Sequence, residues 1–148
     1  MCWPGKIAIL FCVIFSSVFA EEEIYHFKGI HFLASYSDCD KEALTDVENL
    51  VEAMKSAVGV SGATILSESS WVFPPDGLTM VLLLSESHAS IHTYPEHGSC
   101  FVDLFTCGDN CSSAKFDAAL QAYLKPKTIC KRLFVRDRDI QDRIADGI

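Results

Sequence analysis

Hydrophobic and polar residues alternate near the start of the chain and then change to a helical spacing. From residue 28 to about residue 36, apolar side chains occupy every second position, which predicts a strand. Asp40 can cap the helix that follows, and Gly59 is a natural end for it. The apolar positions of this helix are Leu44, Val47, Leu50, Val51, Met54 and Val58.

The middle of the chain predicts further strands. One begins at residues 63–66, and the sequence Pro-Pro-Asp-Gly at residues 74–77 predicts the turn after it. The continuous apolar run at residues 78–84 is typical of a buried central strand. Two more extended stretches follow at residues 88–94 and 100–107.

The last two of these stretches carry polar and reactive side chains at alternate positions. Period two places on one face of the first stretch His88, Ser90, His92 and Tyr94. The same spacing places on one face of the second stretch Phe101, Asp103, Phe105 and Cys107. Reactive groups on strands that should be buried are a local inconsistency, which often marks a functional site.

A second helix and a last strand complete the pattern. Ser112 or Ser113 can cap the helix, Pro126 ends it, residues 128–135 predict the strand, and a charged tail begins at Arg136. Because a run of strands separates the helices, the predicted class is α+β. We expect a single-domain, two-layer sandwich, with an antiparallel sheet and both helices on one face. The other sheet face needs cover, and a homodimer is the simplest way to provide it.

The N-terminal residues differ from the rest of the chain. A short positive region precedes the apolar run 7–15, and Val18 and Ala20 fit the small-residue pattern before a cleavage site. We therefore expect residues 1–20 to be a signal peptide and residues 21–148 to be an exported or periplasmic domain; without that signal the protein would be cytoplasmic. The apolar run is too short for a stable membrane span.

Charge and cysteine content exclude two classes of protein. The chain of 148 residues has a formal net charge of −8 and scattered Lys and Arg residues, so it offers no basic face for nucleic acid. Beyond the predicted signal peptide the cysteines are Cys39, Cys100, Cys107, Cys111 and Cys130. Because their number is odd, they do not predict a disulfide framework.

The densest run of reactive residues lies between Ser85 and Asp109. It contains in order Glu86-Ser87-His88, Ile91-His92-Thr93, Tyr94-Pro95-Glu96 and Asp103-x-Phe105-Thr106-Cys107-Gly108. In this motif the chain resembles the short prokaryotic type of pyruvoyl-dependent S-adenosylmethionine decarboxylase. Weaker similarity covers nearly everything from Gly29 onward, including Gly29-x-His31 and Cys39-Asp40, whereas residues 1 to about 25 lie outside the family pattern.

The resemblance implies a proenzyme that cuts its own chain between Glu86 and Ser87. The Ser87 hydroxyl attacks the Glu86 carbonyl to form an ester, and elimination across Ser87 then releases the Glu86 carboxylate. Hydrolysis leaves a pyruvoyl group, the cofactor, at the start of an α chain that begins at Ser87; the β chain ends at Glu86. The pyruvoyl carbonyl forms a Schiff base with the substrate amine and accepts the electrons left by departing carbon dioxide.

The resemblance also assigns three residues to chemistry. His92 corresponds to the family's base for the elimination, and Cys107 to the acid that returns a proton to the substrate carbon. Thr79 lies where the family has a hydroxyl residue that assists processing, more commonly Ser. A single strand cysteine is usually a small core residue, so the spacing of the whole motif carries these assignments.

Three further positions concern the substrate. Phe73 and Tyr94 correspond to residues that flank the adenine, and Glu96 to a carboxylate for the ribose hydroxyls, partly across the interface of a homodimer of αβ units. No metal is expected, because the cysteines and histidines around the motif lack a standard zinc spacing. The residues considered for zinc are His88, His92, His97, Cys107 and Cys111.

Several positions depart from the commonest family pattern. Tyr94 replaces a frequent Trp, Ala89 and Ser90 replace a larger aliphatic residue and a Thr, and Met80 replaces Gly or Ala. The resemblance implies conversion of S-adenosylmethionine to its decarboxylated form for spermidine biosynthesis. Because these positions surround the expected pocket, a pyruvoyl-dependent arginine or ornithine decarboxylase of the same fold is an alternative, which export would favour. A non-catalytic exported binding protein is a further alternative.

Overall fold

The computed structural model describes residues 27–107, 110–137 and 141–143. The predicted signal peptide, residues 1–20, lies outside the described residues. The elements in chain order are β1 (Gly29–Ser37), α1 (Lys41–Thr45), α2 (Val47–Ser61), β2 (Ile65–Phe73), β3 (Gly77–Leu84), β4 (Ser87–Tyr94), a 3₁₀ turn (Pro95–His97), β5 (Ser99–Thr106), α3 (Ser113–Leu124), β6 (Thr128–Arg136) and β7 (Gln141–Arg143). None of the described helices has the length and apolar content that crossing a membrane requires.

The strands form one sheet in the order β2-β3-β4-β5-β1-β6-β7. Every neighbouring pair is antiparallel. The helices α2 and α3 contribute to the same buried core as one face of the sheet. The predicted α+β class and two-layer architecture are therefore confirmed.

One face of the sheet forms that core. Along β3 the buried residues are every second one, Leu78, Met80, Leu82 and Leu84. They pack in one cluster with helix residues such as Met54 on α2 and Phe116 on α3, all close to fully buried. Burying alternate strand residues against amphipathic helices is the main source of stability in such a sandwich.

The opposite face of the sheet carries exposed apolar side chains. Leu33 of β1 is 37% exposed, Val81 and Leu83 of β3 are 46% and 51% exposed, and Phe101 of β5 is 52% exposed. We call this surface the open face; it comprises the strand residues whose side chains point away from the helices. Apolar residues collected on one such surface are typical of an interface.

Two elements differ from the sequence prediction. The first predicted helix is interrupted at Asp46, so that the described part of the chain forms three α-helices instead of the two predicted. Asp46 adopts φ −78° and ψ 83°, and its side chain accepts a hydrogen bond from the amide of Asn49 as the N-cap of α2. The sequence predicted only that the tail is charged. In the structure, part of this tail forms the short strand β7, from Gln141 to Arg143, which pairs with β6.

A buried polar group links β1 and β6 to α3. The Tyr36 hydroxyl donates to Asp117 Oδ1 over 2.5 Å, and Lys131 Nζ lies 2.8 Å from Asp117 Oδ2. Burial opposes ionisation of Asp117, but the hydrogen bonds from Lys131 and Tyr36 lower the pKa of its carboxyl. Burial raises the pKa of the Tyr36 phenol, and the bond to Asp117 adds to the effect. The group therefore places a charged pair between sheet and helix.

The five described cysteines are free thiols. The Cys39 and Cys100 side chains are hydrogen-bonded to each other, which lowers the pKa of the Cys39 thiol and, with burial, raises that of Cys100. Cys107, in contrast, is exposed just beyond the end of β5. Of the described cysteines, the one that the motif assigns to catalysis is therefore accessible to a substrate.

Candidate active site

The predicted cleavage site lies in the tight turn between β3 and β4. Ser85 donates its amide to the Thr64 carbonyl over 3.0 Å, and the Thr64 amide donates to the Glu86 carboxylate over 2.9 Å. Partial burial opposes ionisation of Glu86, but hydrogen bonds from the Ser85 hydroxyl and the Thr64 amide lower the pKa of its carboxyl. These contacts hold the turn against the start of β2.

The peptide bond between Glu86 and Ser87 is polarised from outside the turn. The amide of Cys107 donates to the Glu86 carbonyl oxygen over 3.0 Å. A donor at that oxygen stabilises the negative charge that develops when a nucleophile attacks the carbonyl. The turn therefore already contains one element of an oxyanion site.

The backbone of Ser87 is strained. Its φ of 151° is one of three positive values recorded for non-glycine residues in the described part of the chain. Such conformations cost about 1–3 kcal/mol and cluster at functional sites. Ser87 Oγ lies 3.1 Å from Nδ1 of His88. Successive side chains of a regular strand point to opposite faces, so this contact depends on the irregular backbone at Ser87.

A group of three ionisable residues lies on the open face beside this turn. Nε2 of His31 and Nε2 of His88 each lie 3.5 Å from Oδ1 of Asp103, while Ser90 donates its hydroxyl to Oδ2 of Asp103. Nε2 of His31 is buried and has no hydrogen-bond partner. The register explains the grouping, because His88 and His31 both pair with Phe105, two residues from Asp103.

Phe105 and Arg136 flank this group. The Phe105 ring centroid lies 5.3 Å from that of His31 and 5.8 Å from that of His88. The Arg136 guanidinium lies 4.4 Å from the centre of the Phe105 ring, a cation–π distance. The histidines are thus shielded on one side by an aromatic ring.

A second cluster of predicted site residues lies at the far end of β4. His92 and Tyr94 have ring centroids 4.7 Å apart, and Phe73 lies 5.9 Å from His92. These three residues and Glu96 line a cleft of about 780 Å³. Thr79 pairs with His92 across β3 and β4. The predicted substrate residues are therefore brought together, with the predicted elimination base among them.

The two clusters are apart within one chain. Ser87 and His92 are five positions apart on β4, and a strand advances about 3.3 Å per residue, so their Cα atoms are roughly 16 Å apart. The motif is contiguous in sequence, but the strand spreads it along the sheet. Within a single chain His92 therefore does not reach Ser87.

His88 and Asp103 were present in the motif without an assigned role. The sequence could have placed both residues on the open face, because His88 alternates in step with His92 on β4 and Asp103 in step with Phe105 on β5. That alternation does not give the register of β4 against β5, nor that of β1 against β5. The contact of Asp103 with both His31 and His88 could not be read from it.

Two histidines and a carboxylate are also groups that bind transition metals. The ligand atoms of His31, His88 and Asp103 lie within 4.8 Å of one another. However, both imidazoles already contact one oxygen of Asp103, and the other oxygen accepts from Ser90. The carboxylate of Asp103 therefore has polar contacts on both of its oxygens within the protein.

The fold and the site match known proteins. The sequence pattern described as S-adenosylmethionine decarboxylase matches residues 30–137. The S-adenosylmethionine decarboxylase proenzyme of Thermosipho africanus is 44% identical over 101 residues, which cover 68% of this chain and 78% of the relative. The proenzyme of the same name from Aquifex aeolicus is 39% identical over 108 residues, which cover 73% of this chain and 80% of the relative.

A solved structure agrees with these sequence matches. The crystal structure of the adenosylmethionine decarboxylase from Aquifex aeolicus superimposes with a TM-score of 0.68 and 35% identity, over 82% of this chain and 99% of that chain. The α+β sandwich is thus the fold of an adenosylmethionine decarboxylase. This chain belongs to the S-adenosylmethionine decarboxylase family.

Proposed function

We propose that this protein is a proenzyme that cuts its own chain between Glu86 and Ser87 and then decarboxylates S-adenosylmethionine for spermidine biosynthesis. The observation that carries the proposal is the state of this peptide bond. The Glu86 carbonyl oxygen accepts a hydrogen bond of 3.0 Å from the amide of Cys107, and Ser87 has a φ of 151°. A polarised peptide bond, followed by a residue with a strained backbone that carries the hydroxyl nucleophile, is an arrangement that favours self-cleavage.

Maturation begins with the Ser87 hydroxyl. Its oxygen attacks the Glu86 carbonyl carbon, and the Cys107 amide binds the oxygen on which negative charge develops. The carbon–nitrogen bond then breaks, which leaves Glu86 esterified to Ser87 with a free amine. Removal of the Ser87 α proton expels the Glu86 carboxylate. Hydrolysis then releases ammonia and leaves a new N-terminus.

The residues around Ser87 fit a pyruvoyl group as the cofactor. When present, this group supplies a carbonyl that bonds to the substrate amine and withdraws electrons as carbon dioxide leaves. The exposed Cys107 lies next to it through the contact with Glu86 and can return a proton to the substrate carbon. Cys107 would thus serve maturation through its amide and turnover through its thiol.

The cleft at the far end of β4 supports a nucleoside substrate. Phe73 and Tyr94 offer aromatic faces for an adenine ring and a sulfonium centre, and Glu96 offers a carboxylate for ribose hydroxyls. A basic amino acid needs only a carboxylate for its distal cation. The aromatic lining therefore favours S-adenosylmethionine over arginine or ornithine.

A homodimer would bring the two clusters together. A two-fold interface buries the same surface of both chains, and the open face exposes Leu33, Leu83 and Phe101 on either side of the polar groups. If the sheets stack on these faces with their β4 strands antiparallel, Ser87 of one chain faces the partner's His92. The assigned roles of His92 and Thr79 then act across the interface, which removes the distance of about 16 Å along the strand.

The experiment that tests the proposed function measures carbon dioxide release from mature protein. S-adenosylmethionine, arginine and ornithine are supplied side by side at equal concentrations. Release from S-adenosylmethionine supports the proposal, and release only from an amino acid would reassign the substrate while retaining the self-cleavage. Uncleaved protein that binds S-adenosylmethionine without turnover would instead indicate a binding protein.

A further inference from the structure

We infer that His88 is the base that removes the Ser87 hydroxyl proton during self-cleavage, and that Asp103 is the residue that positions His88. These roles rest on the proposed self-cleavage between Glu86 and Ser87. The motif assigns His92 to the later elimination step, and within one chain His92 is roughly 16 Å away along β4. The first proton transfer precedes that elimination, and His88 of the same chain already contacts the Ser87 hydroxyl.

His88 is placed to accept that proton. Its Nδ1 lies 3.1 Å from Ser87 Oγ, within hydrogen-bonding distance. A neutral imidazole has one protonated and one unprotonated nitrogen, and only the unprotonated nitrogen can accept. The role of His88 therefore requires its proton to be on Nε2.

Asp103 sets this tautomer. Oδ1 of Asp103 lies 3.5 Å from Nε2 of His88, so the carboxylate favours a proton at Nε2 and leaves Nδ1 free to accept. The same carboxylate stabilises the imidazolium that forms when His88 takes the serine proton. Apo geometries of such pairs are often longer than those of the reacting complex.

Neighbouring residues fix the carboxylate. Ser90, which pairs with Asp103 across β4 and β5, donates its hydroxyl to Oδ2 of Asp103. His31 contacts Oδ1 of Asp103 from β1, and its ring lies edge-on to that of His88 with centroids 6.1 Å apart. Asp103 thus has defined contacts on both oxygens, which orients Oδ1 toward His88.

The proton and electron pairs balance without another reactant. His88 Nδ1 takes the hydroxyl proton as Ser87 Oγ bonds to the Glu86 carbon, and the carbonyl electron pair moves to the oxygen bound by the Cys107 amide. When the carbon–nitrogen bond breaks, the protonated His88 gives its proton to the Ser87 amine. The product is the ester, and His88 is neutral again.

The test follows self-cleavage of freshly translated full-length chains by gel and mass spectrometry. His88→Ala should cleave about 10²–10⁴-fold more slowly than wild type, because a general base typically contributes that much. Added imidazole should restore part of the rate. His97→Ala is the matched control, since His97 is an exposed histidine near the other end of β4, and it should cleave at the wild-type rate.

Hydroxylamine identifies the step at which each variant stops. It cleaves esters far faster than amides, so it should not cut His88→Ala, which stops before the ester. It should cut His92→Ala, which stops after it. Circular dichroism checks that the variants fold, and His88→Gln, which keeps a polar side chain, is the second variant if His88→Ala does not.

Two substitutions at Asp103 distinguish a positioning role from a packing role. Asp103→Asn keeps the shape but loses the charge, whereas Asp103→Glu keeps the charge and changes the shape. Cleavage should be slower by about 10²-fold or more in Asp103→Asn, and less impaired in Asp103→Glu. A residue needed only for packing would give the reverse order.

Three results would overturn the assignment of His88 as the base. They are wild-type cleavage by both His88 variants, a hydroxylamine-sensitive ester in His88→Ala, and a bound divalent metal whose removal by EDTA stops wild-type cleavage. A wild-type chain that never cleaves would instead contradict the proposed function itself.

Discussion

The backbone amide of Cys107 donates a hydrogen bond of 3.0 Å to the carbonyl oxygen of Glu86. The residue that the motif assigns to substrate protonation therefore already contacts the predicted scissile bond in the uncut chain. The contact uses the main chain, and the proposed proton transfer uses the thiol. A side-chain substitution can accordingly separate the two functions.

Cys107→Ala should still cut its chain but lose most decarboxylation. The substitution keeps the amide that polarises Glu86 and removes the proposed proton donor, and a general acid contributes about 10²–10⁴-fold. Gel analysis gives cleavage, and carbon dioxide release gives turnover. Cys130→Ala, at an exposed position on β6, is the control and should retain both. Wild-type turnover by Cys107→Ala would remove its thiol from the mechanism.

His92→Ala should accumulate the ester if His92 is the base of the elimination. Its chain should be rescued when it is produced together with Ser87→Ala, because a mixed dimer then contains one complete site. The measurement is the appearance of cut His92→Ala chain, recognised by a mass tag. Cleavage of His92→Ala alone at the wild-type rate would exclude this role, and failure of the mixture to cleave would argue against a shared site.

Phe73→Ala should weaken a nucleoside enzyme more than an amino-acid enzyme. Loss of one stacking face costs about 1–3 kcal/mol of transition-state binding. The measurement is kcat/KM for S-adenosylmethionine, with cleavage followed separately to show that maturation is intact. Val72→Ala is the matched control, because Val72 is the exposed neighbour on the opposite side of β2. An unchanged kcat/KM in Phe73→Ala would place the adenine elsewhere.

The sequence predicted the face on which each site residue lies but not the neighbours on that face. Alternation placed His88, Ser90 and His92 together, and the open face of β4 confirms it. Which strand residue lies opposite His88 depends on strand register, which turn geometry and the packing of both faces set jointly. The contact between His88 and Asp103 therefore required the structure.

The sequence also did not predict the break between α1 and α2. Leu44 and Val47 both fit one helical spacing, so the apolar pattern continues across Asp46. The interruption is visible only in the capping bond from Asn49 to Asp46, a local competition between side chain and backbone. The sequence likewise did not predict β7, because this charged segment shows no alternation of apolar and polar residues.

Removing the buried carboxylate of Asp117 should destabilise the fold. Asp117→Ala leaves the Tyr36 hydroxyl and the Lys131 ammonium without their partner, which should lower the free energy of unfolding by about 1–3 kcal/mol. Chemical denaturation with urea measures this, and Asp117→Asn, which can still accept from Tyr36, should lose less. Equal stability of wild type and Asp117→Ala would contradict a stabilising role.

The Asp117 carboxylate should also make the free energy of unfolding depend on pH in the acidic range. Hydrogen bonds lower its pKa in the folded state, so its contribution is present above the unfolded pKa of about 3.9 and is lost as pH falls through the folded value. The difference in stability between wild type and Asp117→Asn should therefore shrink below about pH 4. A difference that stays constant from pH 6 to pH 2 would show that the charge does not contribute.

The intact mass of purified protein tests the central claim most directly. Wild type should give two chains, one ending at Glu86 and one beginning at the position of Ser87, and the second should resist Edman degradation because its first residue carries a ketone in place of an amine. Ser87→Ala should give a single chain. A wild-type protein that remains one intact chain under native conditions would contradict the account.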